Sequence, residues 1–346
     1  MPIPNVVNYK SFKEFFNDVA LPSGKYFSKF ENGIFRGHSR HTYELFPTLL
    51  REYSGLSWDE RIVLKDKPKY GGCGPIYDQF QTLRKFYTKA NHNGLTLPAI
   101  NSSLDSLSNP TSLSTVMRQN GEFGEFRWIP DDLLNLVAMA QHYGLPTRLL
   151  DWTADLNVAC YFACIGTIRR LLKAASNTTL TKELKTRMAI YALDAESIRY
   201  RPRDKNNCLR FVVPPYADNP NLRAQKGVFT LWDMHIANDL VLVFGNNYEA
   251  DPFPLEDLLS IYGSDSLLFK FELPANECLP MYRYLQRIEY GAARLFPGYK
   301  GVVTEMEDDA MALELEVKLE NFRKSRHEQN EKRRLKRGIK NKCVNK

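Results

Sequence analysis

Apolar positions along this chain follow a helical spacing in its first half and a strand spacing in its second. Phe12, Phe15, Phe16 and Val19 follow a capping Ser11, which predicts a helix over Ser11–Val19. Gly33 to Gly37 (GIFRG) reads as a short strand closed by glycine. Thr48–Tyr53 and Trp58–Lys65 carry helical patterns. Pro68–Pro75 is a Gly/Pro-rich break, after which helical spacing resumes through Tyr77, Phe80, Leu83 and Tyr87. Asn91–Pro110 is polar and reads as a loop insertion. Pro130 opens another helix, with Asp131 and Asp132 in its first turn at the positive end of the helix dipole. That helix is expected to run to about Tyr143 and to stop at Gly144 and Pro146.

The period then changes. Met188–Leu193 (MAIYAL), Gly227–Leu231 (GVFTL), Leu240–Val243 and Leu267–Leu273 read as strands. Cys278–Ile288 reads as a helix, Arg294–Gly301 (RLFPGYKG) as a loop and Thr304–Arg337 as a long charged helix. The expected class is α+β, a small sheet with helices packed around it and a basic helical tail. Residues 1–304 form the expected folded domain, and 305–346 the charged helix and tail. No internal repeat interrupts this order.

Between the two halves, Gln141 to Ala163 reads QHYGLPTRLLDWTADLNVACYFA. Seven polar or aromatic side chains abut the wholly apolar run Val158–Ala163. An unpaired buried polar group costs roughly 1–3 kcal/mol, so these residues are bonded to one another or to a ligand. Thr153 is placed to cap a helix beginning at Ala154. Arg148 and Asp151 can form a local ion pair, and His142 can be a satisfied core histidine.

Composition adds bounds. At 43% hydrophobic and 25% charged, the 346-residue chain reads as soluble and globular. The N-terminus has no signal-peptide pattern, and no apolar stretch approaches the roughly 18 residues of a membrane span. Six scattered cysteines suit reduced thiols and a cytoplasmic protein. Cys160 and Cys164 lie on one helix face and read as inert buried thiols. No His/Cys grouping has metal-ligand spacing, so no metal is expected.

Charge is uneven. Lys318 to Lys346 carries 12 Lys/Arg against 3 Asp/Glu, a net of +9, within a total of +7, so the remainder is −2. Such a tail attracts nucleic acid with little sequence preference; a solvated helix end is the alternative.

Phe35-Arg36-Gly37, then LFPTLLRE (Leu45–Glu52), QHYGLPTRLLDWT with its trailing VACYFA, RAQKGVF (Arg223–Phe229) and LFPGYKG together resemble the FRG-domain family. The pattern is also similar to the ADP-ribosyltransferase superfamily. That resemblance implies a split-sheet core that binds NAD as co-substrate. Arg36 matches the Arg of the first strand motif. Thr153, with Asp151 and Trp152, falls at the second motif, before a helix of the type xVAxxFA. Gln225 stands where the third motif begins. Two residues on, where the superfamily carries its catalytic Glu, this chain has Gly227. Glu289 is one candidate replacement, and Gln225 acting alone is another.

Such chemistry breaks the nicotinamide–ribose bond through an oxocarbenium-like transition state and needs no metal. The resemblance implies that Arg36 binds pyrophosphate or ribose through its planar fork, and that Gly37 lets the ligand approach the strand. Tyr143 or Trp152 stacks on nicotinamide, while His142, Thr147, Arg148 and Asp151 complete the cofactor wall. Each residue also has a plainer use: Arg36 can staple its strand, Gln225 can bond backbone at the sheet edge and Gly227 can allow close packing. Signatures of Rossmann, P-loop, zincin and α/β-hydrolase sites are absent. The expected activity is mono-ADP-ribosyl transfer to nucleic acid, RNA before DNA, with protein as second acceptor. By family analogy this is the toxin of a toxin–antitoxin or phage-defence system with a neutralising antitoxin partner. A non-catalytic nucleotide- or nucleic-acid-binding module and an NAD glycohydrolase are the alternatives.

Overall fold

The computed structural model describes residues 5–53, 74–98, 125–200, 209–217, 219–232, 234–237, 253–261 and 263–344. The expected elements at Trp58–Lys65 and Leu240–Val243, and most of the expected loop Asn91–Pro110, lie outside these residues. In chain order the elements are β1 (Asn5–Asn8), α1 (Phe12–Val19), β2 (Ile34–His38), α2 (Gly74–His92), β3 (Glu125–Trp128), α3 (Leu134–His142), β4 (Leu150–Thr153), α4 (Leu156–Leu172), α5 (Asn177–Leu184) and β5 (Arg187–Leu193). They continue as α6 (Ala195–Arg199), β6 (Leu209–Val212), α7 (Pro220–Ala224), β7 (Gly227–Trp232), β8 (Met234–Ala237), α8 (Leu255–Ile261), β9 (Leu268–Pro274), α9 (Cys278–Arg287), α10 (Ala292–Leu295) and α11 (Tyr299–Val344).

Local chemistry sets several of these boundaries. Ser11 accepts the Glu14 amide and caps α1, whose Phe12, Phe15 and Val19 are buried. α3 ends where Gly144 takes a left-handed φ of +93°. Thr48–Tyr53 forms 3₁₀ turns.

Seven strands form one mixed sheet in the order β1-β9-β5-β2-β4-β7-β6; β3 and β8 form a separate antiparallel pair. β1 runs parallel to β9, and the other neighbours are antiparallel. The α+β class is as expected, with a larger sheet than expected. β2 and β4 touch in register at a single position, Phe35 opposite Thr153. By contrast, β2 pairs with β5 along its whole length.

The sheet is covered on both faces. On one, α4 lies over Phe35 and Ile190 with α1, α9 and α11 around it. A helix hydrophobic all round belongs in the interior, and the run Val158–Ala163 is indeed buried on α4 save for Phe162. Cys160 and Cys164 sit there as buried thiols, their ionisation opposed by desolvation. On the other face, Ile34, Leu150, Trp152 and Tyr191 form a second cluster with α8. A third cluster seats α2 and α3 against β6 and β7.

Asp151, Trp152 and Thr153 lie on strand β4, paired with β7 from Phe229 to Gly227. Three expectations are corrected. The cap of the following helix is Asp155 rather than Thr153; it accepts the Asn157 amide at 3.0 Å. RLFPGYKG is not a loop: it holds the end of α10 and the start of α11 around a left-handed Gly298. α11 is also integral to the core. Ala312, Leu315, Leu319 and Phe322 recur at alternating three- and four-residue steps and are buried. Asp308, one step earlier on that stripe, is fully buried between the Tyr161 hydroxyl at 2.5 Å and Arg169 at 2.9 Å.

Candidate functional site

Alternation along β2 puts Ile34, Arg36 and His38 on one face and Phe35 and Gly37 on the other. Because β4 meets β2 only at Phe35, the sheet opens beyond that point. The opening is a cleft of about 690 Å³ lined by Arg36, His38, Tyr43, Glu44, Arg51 and the Asp151–Thr153 corner, with Gln225 across from them.

Arg36 spans the opening. Its Nη1 donates to the Asp151 carbonyl oxygen at 2.5 Å and lies 3.5 Å from the Asp151 carboxylate. Its Nε donates to His38 Nε2 at 2.9 Å. That bond fixes the imidazole as neutral with its proton on Nδ1, which donates to the Tyr43 carbonyl at 3.2 Å. Burial, and then the Arg36 charge, push the His38 pKa well below its ordinary value, consistent with this tautomer. Desolvation also lowers the Arg36 pKa, and Asp151 opposes that shift. Among the described residues, Arg36 Nη2 takes no protein acceptor, which leaves one edge of the fork for a ligand.

The corner is tied to the third motif. Thr153 Oγ donates to the Gln225 carbonyl at 2.6 Å and accepts the Asp155 amide at 3.0 Å. Gln225 ends α7, and its Nε2 donates to the Leu295 carbonyl at 3.1 Å. Lys226, next to it, is left-handed (φ 45°) and reaches back to Asp155 at 2.9 Å; this bond raises the lysine pKa. Tyr290 donates to the same carboxylate at 2.8 Å.

A second, smaller cleft of about 220 Å³ adjoins the larger one, with Asp151, Trp152 and Gln225 lining both. It takes in Thr48, His142, Leu145 and Gly227. His142 ends α3 half-buried, and desolvation lowers its pKa.

The structure thus brings Arg36, Asp151, Trp152, Thr153 and Gln225 together and leaves other expected residues elsewhere. Gly37 lines the larger cleft, but its bare Cα faces α4. A Cβ there would lie on the Ala159 carbonyl, so the glycine serves helix–strand contact rather than ligand approach. Trp152 is buried with its indole N–H on Thr230 Oγ at 2.8 Å, making it wall rather than a free stacking face. Tyr143 is exposed and packs edge-on against His142, outside both clefts. Thr147 is buried, donating to Gln141 and accepting the Leu149 amide. Arg148 is buried beside Leu45, Leu50 and Leu150 at a separate cavity of about 30 Å³, and the ion pair of Asp151 is with Arg36 instead. Glu289 is an exposed, left-handed residue (φ 56°) beyond α9 and lines neither cleft.

Sequence reading missed His38, Tyr43, Glu44 and Arg51. The period-two spacing of Arg36 and His38 was the available signal for the histidine. Glu44 and Arg51 reach the cleft from irregular and 3₁₀ backbone, which has no period to read. At Gly227, a Cβ would meet the end of the Leu222 side chain, which would have to shift to admit one.

These residues fall largely within a stretch similar to a known domain family. Residues 31–170 match the family model of the FRG domain. The FRG segment runs from before β2 to near the end of α4 and so contains Arg36, His38, Glu44, Arg51 and the Asp151–Thr153 corner. Gln225 and the strands β5 and β7 that flank the FRG strands lie beyond it. No curated protein and no solved structure matches the chain. Among the described residues, no helix is long and apolar enough to cross a membrane.

Proposed function

We propose that this chain is a mono-ADP-ribosyltransferase that cleaves the nicotinamide–ribose bond of NAD and passes ADP-ribose to nucleic acid, RNA before DNA. The observation carrying this reading is Arg36, braced by His38 and the Asp151 carbonyl, on the wall of the 690 Å³ opening between β2 and β4. That volume lies within the roughly 300–1,000 Å³ of small-molecule sites. Arg36 and Arg51 supply two planar cations for a pyrophosphate. A sheet opened at this point also suits the split-sheet core that the ADP-ribosyltransferase resemblance implies.

In this mechanism the C1′–N bond breaks and neutral nicotinamide leaves with the bonding pair. The remaining ribose cation is stabilised by the carboxylate of Glu44, which lines the cleft. Glu44 thereby takes the role that neither Gly227 nor Glu289 can fill. Thr153 and Gln225 are positioning residues: they hold the corner in register with Arg36. The acceptor's lone pair then closes on C1′. By family analogy we place this activity in a toxin with a neutralising protein partner, acting on RNA gathered by the basic tail.

A second reading, a module that binds a nucleotide without cleaving it, is favoured by the packed Gly227. Incubating the protein with NAD and single-stranded RNA separates the readings. Nicotinamide release with ADP-ribose on the RNA is expected, falling about a hundredfold or more in Arg36→Ala. NAD binding without nicotinamide release would sink the transferase and leave the binding module. Release without RNA or protein modification would indicate hydrolysis.

A further inference from the structure

Resting on the transferase reading of the larger cleft, we propose that the 220 Å³ cleft is the acceptor site: it holds one nucleobase of single-stranded RNA, and His142 takes the proton of the attacking nitrogen. The two clefts adjoin at Asp151, Trp152 and Gln225, which line both. A group-transfer reaction needs this layout, since donor and acceptor must approach one carbon from different sides. The smaller volume is below the roughly 300 Å³ of ordinary ligand sites, so it admits a single ring rather than a second nucleotide.

The lining matches a base. Leu145, Leu222 and Phe229 offer apolar surface, while Thr48, His142 and Gln225 offer polar groups for a base edge. An arginine acceptor fits less well. It would need a carboxylate of its own, and Asp151, the acidic residue at this cleft, is already paired with Arg36. Gln141, next to His142, donates to the Asp151 carboxylate and accepts from Thr147. Burial keeps the imidazole neutral, the state that accepts a proton. In the step, the base nitrogen's lone pair forms the bond to C1′ as nicotinamide departs neutral with its own pair. The surplus proton on that nitrogen moves to the His142 ring and then to water. The +9 tail supplies attraction for the RNA strand without reading its sequence.

The test uses the full chain with NAD and each of the four RNA homopolymers. It measures ADP-ribose on RNA per nicotinamide released, and mass spectrometry of the digested RNA locates the modification. One homopolymer modified on its base is the expected result. Leu145→Trp, which fills the cleft, and independently His142→Gln should each lower that ratio by about tenfold or more. ADP-ribose on a ribose hydroxyl, a terminal phosphate or only on protein would overturn the assignment. So would a ratio unmoved in both variants while nicotinamide release continues, with the donor cleft left standing. A wild-type protein that never releases nicotinamide overturns both proposals, a result distinct from the others.

Discussion

Arg36 donates its Nε–H to His38 Nε2 over 2.9 Å, so the cation at the sheet opening is aimed by a histidine that must stay neutral. The His38 pKa is held well below 6.5 in the fold, by burial first and by Arg36 second. A depressed folded-state pKa gives stability that is fully present above the unfolded value. It is lost as pH falls below about 6.5 toward the folded value, because the unfolded chain then binds the proton first. Urea unfolding of wild type and His38→Gln should therefore diverge on acidification below about pH 6.5, with wild type losing up to about 1.4 kcal/mol per pH unit relative to the variant. Parallel pH profiles would show that His38 is not held neutral.

Glu256, in the first turn of α8, accepts the Leu45 amide at 3.0 Å beside the cleft residue Glu44. Burial pushes its carboxyl from 4.5 up to about 8. A raised folded-state pKa works in the opposite sense: the contribution is present below about pH 4.5 and is lost as pH rises toward 8. Glu256→Gln keeps an acceptor for Leu45 and does not ionise. The variant should melt above wild type at pH 8 and level with it near pH 4.5, by thermal unfolding at the two pH values. Equal melting at pH 8 would contradict the assignment.

Gly37→Ala places a methyl on the backbone of α4 at Ala159 and Ala163, which cannot rotate away. Destabilisation of about 3 kcal/mol is expected by denaturant titration, at the upper end of ordinary overpacking. A stable Gly37→Ala protein with impaired NAD binding would instead return the glycine to ligand approach.

Two carboxylates are separated by one experiment. Glu44→Gln should reduce nicotinamide release by about a hundredfold, because Glu44 lines the cleft. Glu289→Gln should leave it within about twofold, because that residue follows a helix end in solvent. The reverse pattern would relocate the reacting centre.

The basic tail has to be cut with care. Lys318 donates to the Leu171, Leu172 and Ala174 carbonyls at the end of α4, and Leu319 and Phe322 are core. Deletion from Lys318 thus removes core as well as charge. Removing 329–346 takes away eight Lys/Arg and one Asp/Glu while keeping the core residues Leu319 and Phe322. RNA binding should weaken, and its log–log salt slope should flatten by about 0.7 for each phosphate that the tail neutralises. An unchanged slope would place the RNA on another part of the surface.

The long elements were legible because their own residues repeat at the right period: α1, α3, β5 and α9 stand close to expectation. β1 and β6 were not, because each is four residues long and is made a strand by its neighbour. β1 finds β9 across nearly the whole folded chain, Asn5 opposite Phe269. The same distance effect governs the site. Arg36 and the Asp-Trp-Thr corner could be read as chemistry from their residue types, while the roles of Gly37, Arg148 and Glu289 depended on which face α4 covers and where α9 ends. Glu44 carried no local signal at all.

The FRG segment ends at residue 170, yet β2 is zipped along its length to β5 and β4 to β7, both outside it. Excised alone, that segment would present two raw strand margins to water and to its own copies, an invitation to stick. Anyone expressing the motif as a minimal fragment would be handling half of a zipper, and the unit worth cloning extends through β9 to Phe322 on α11.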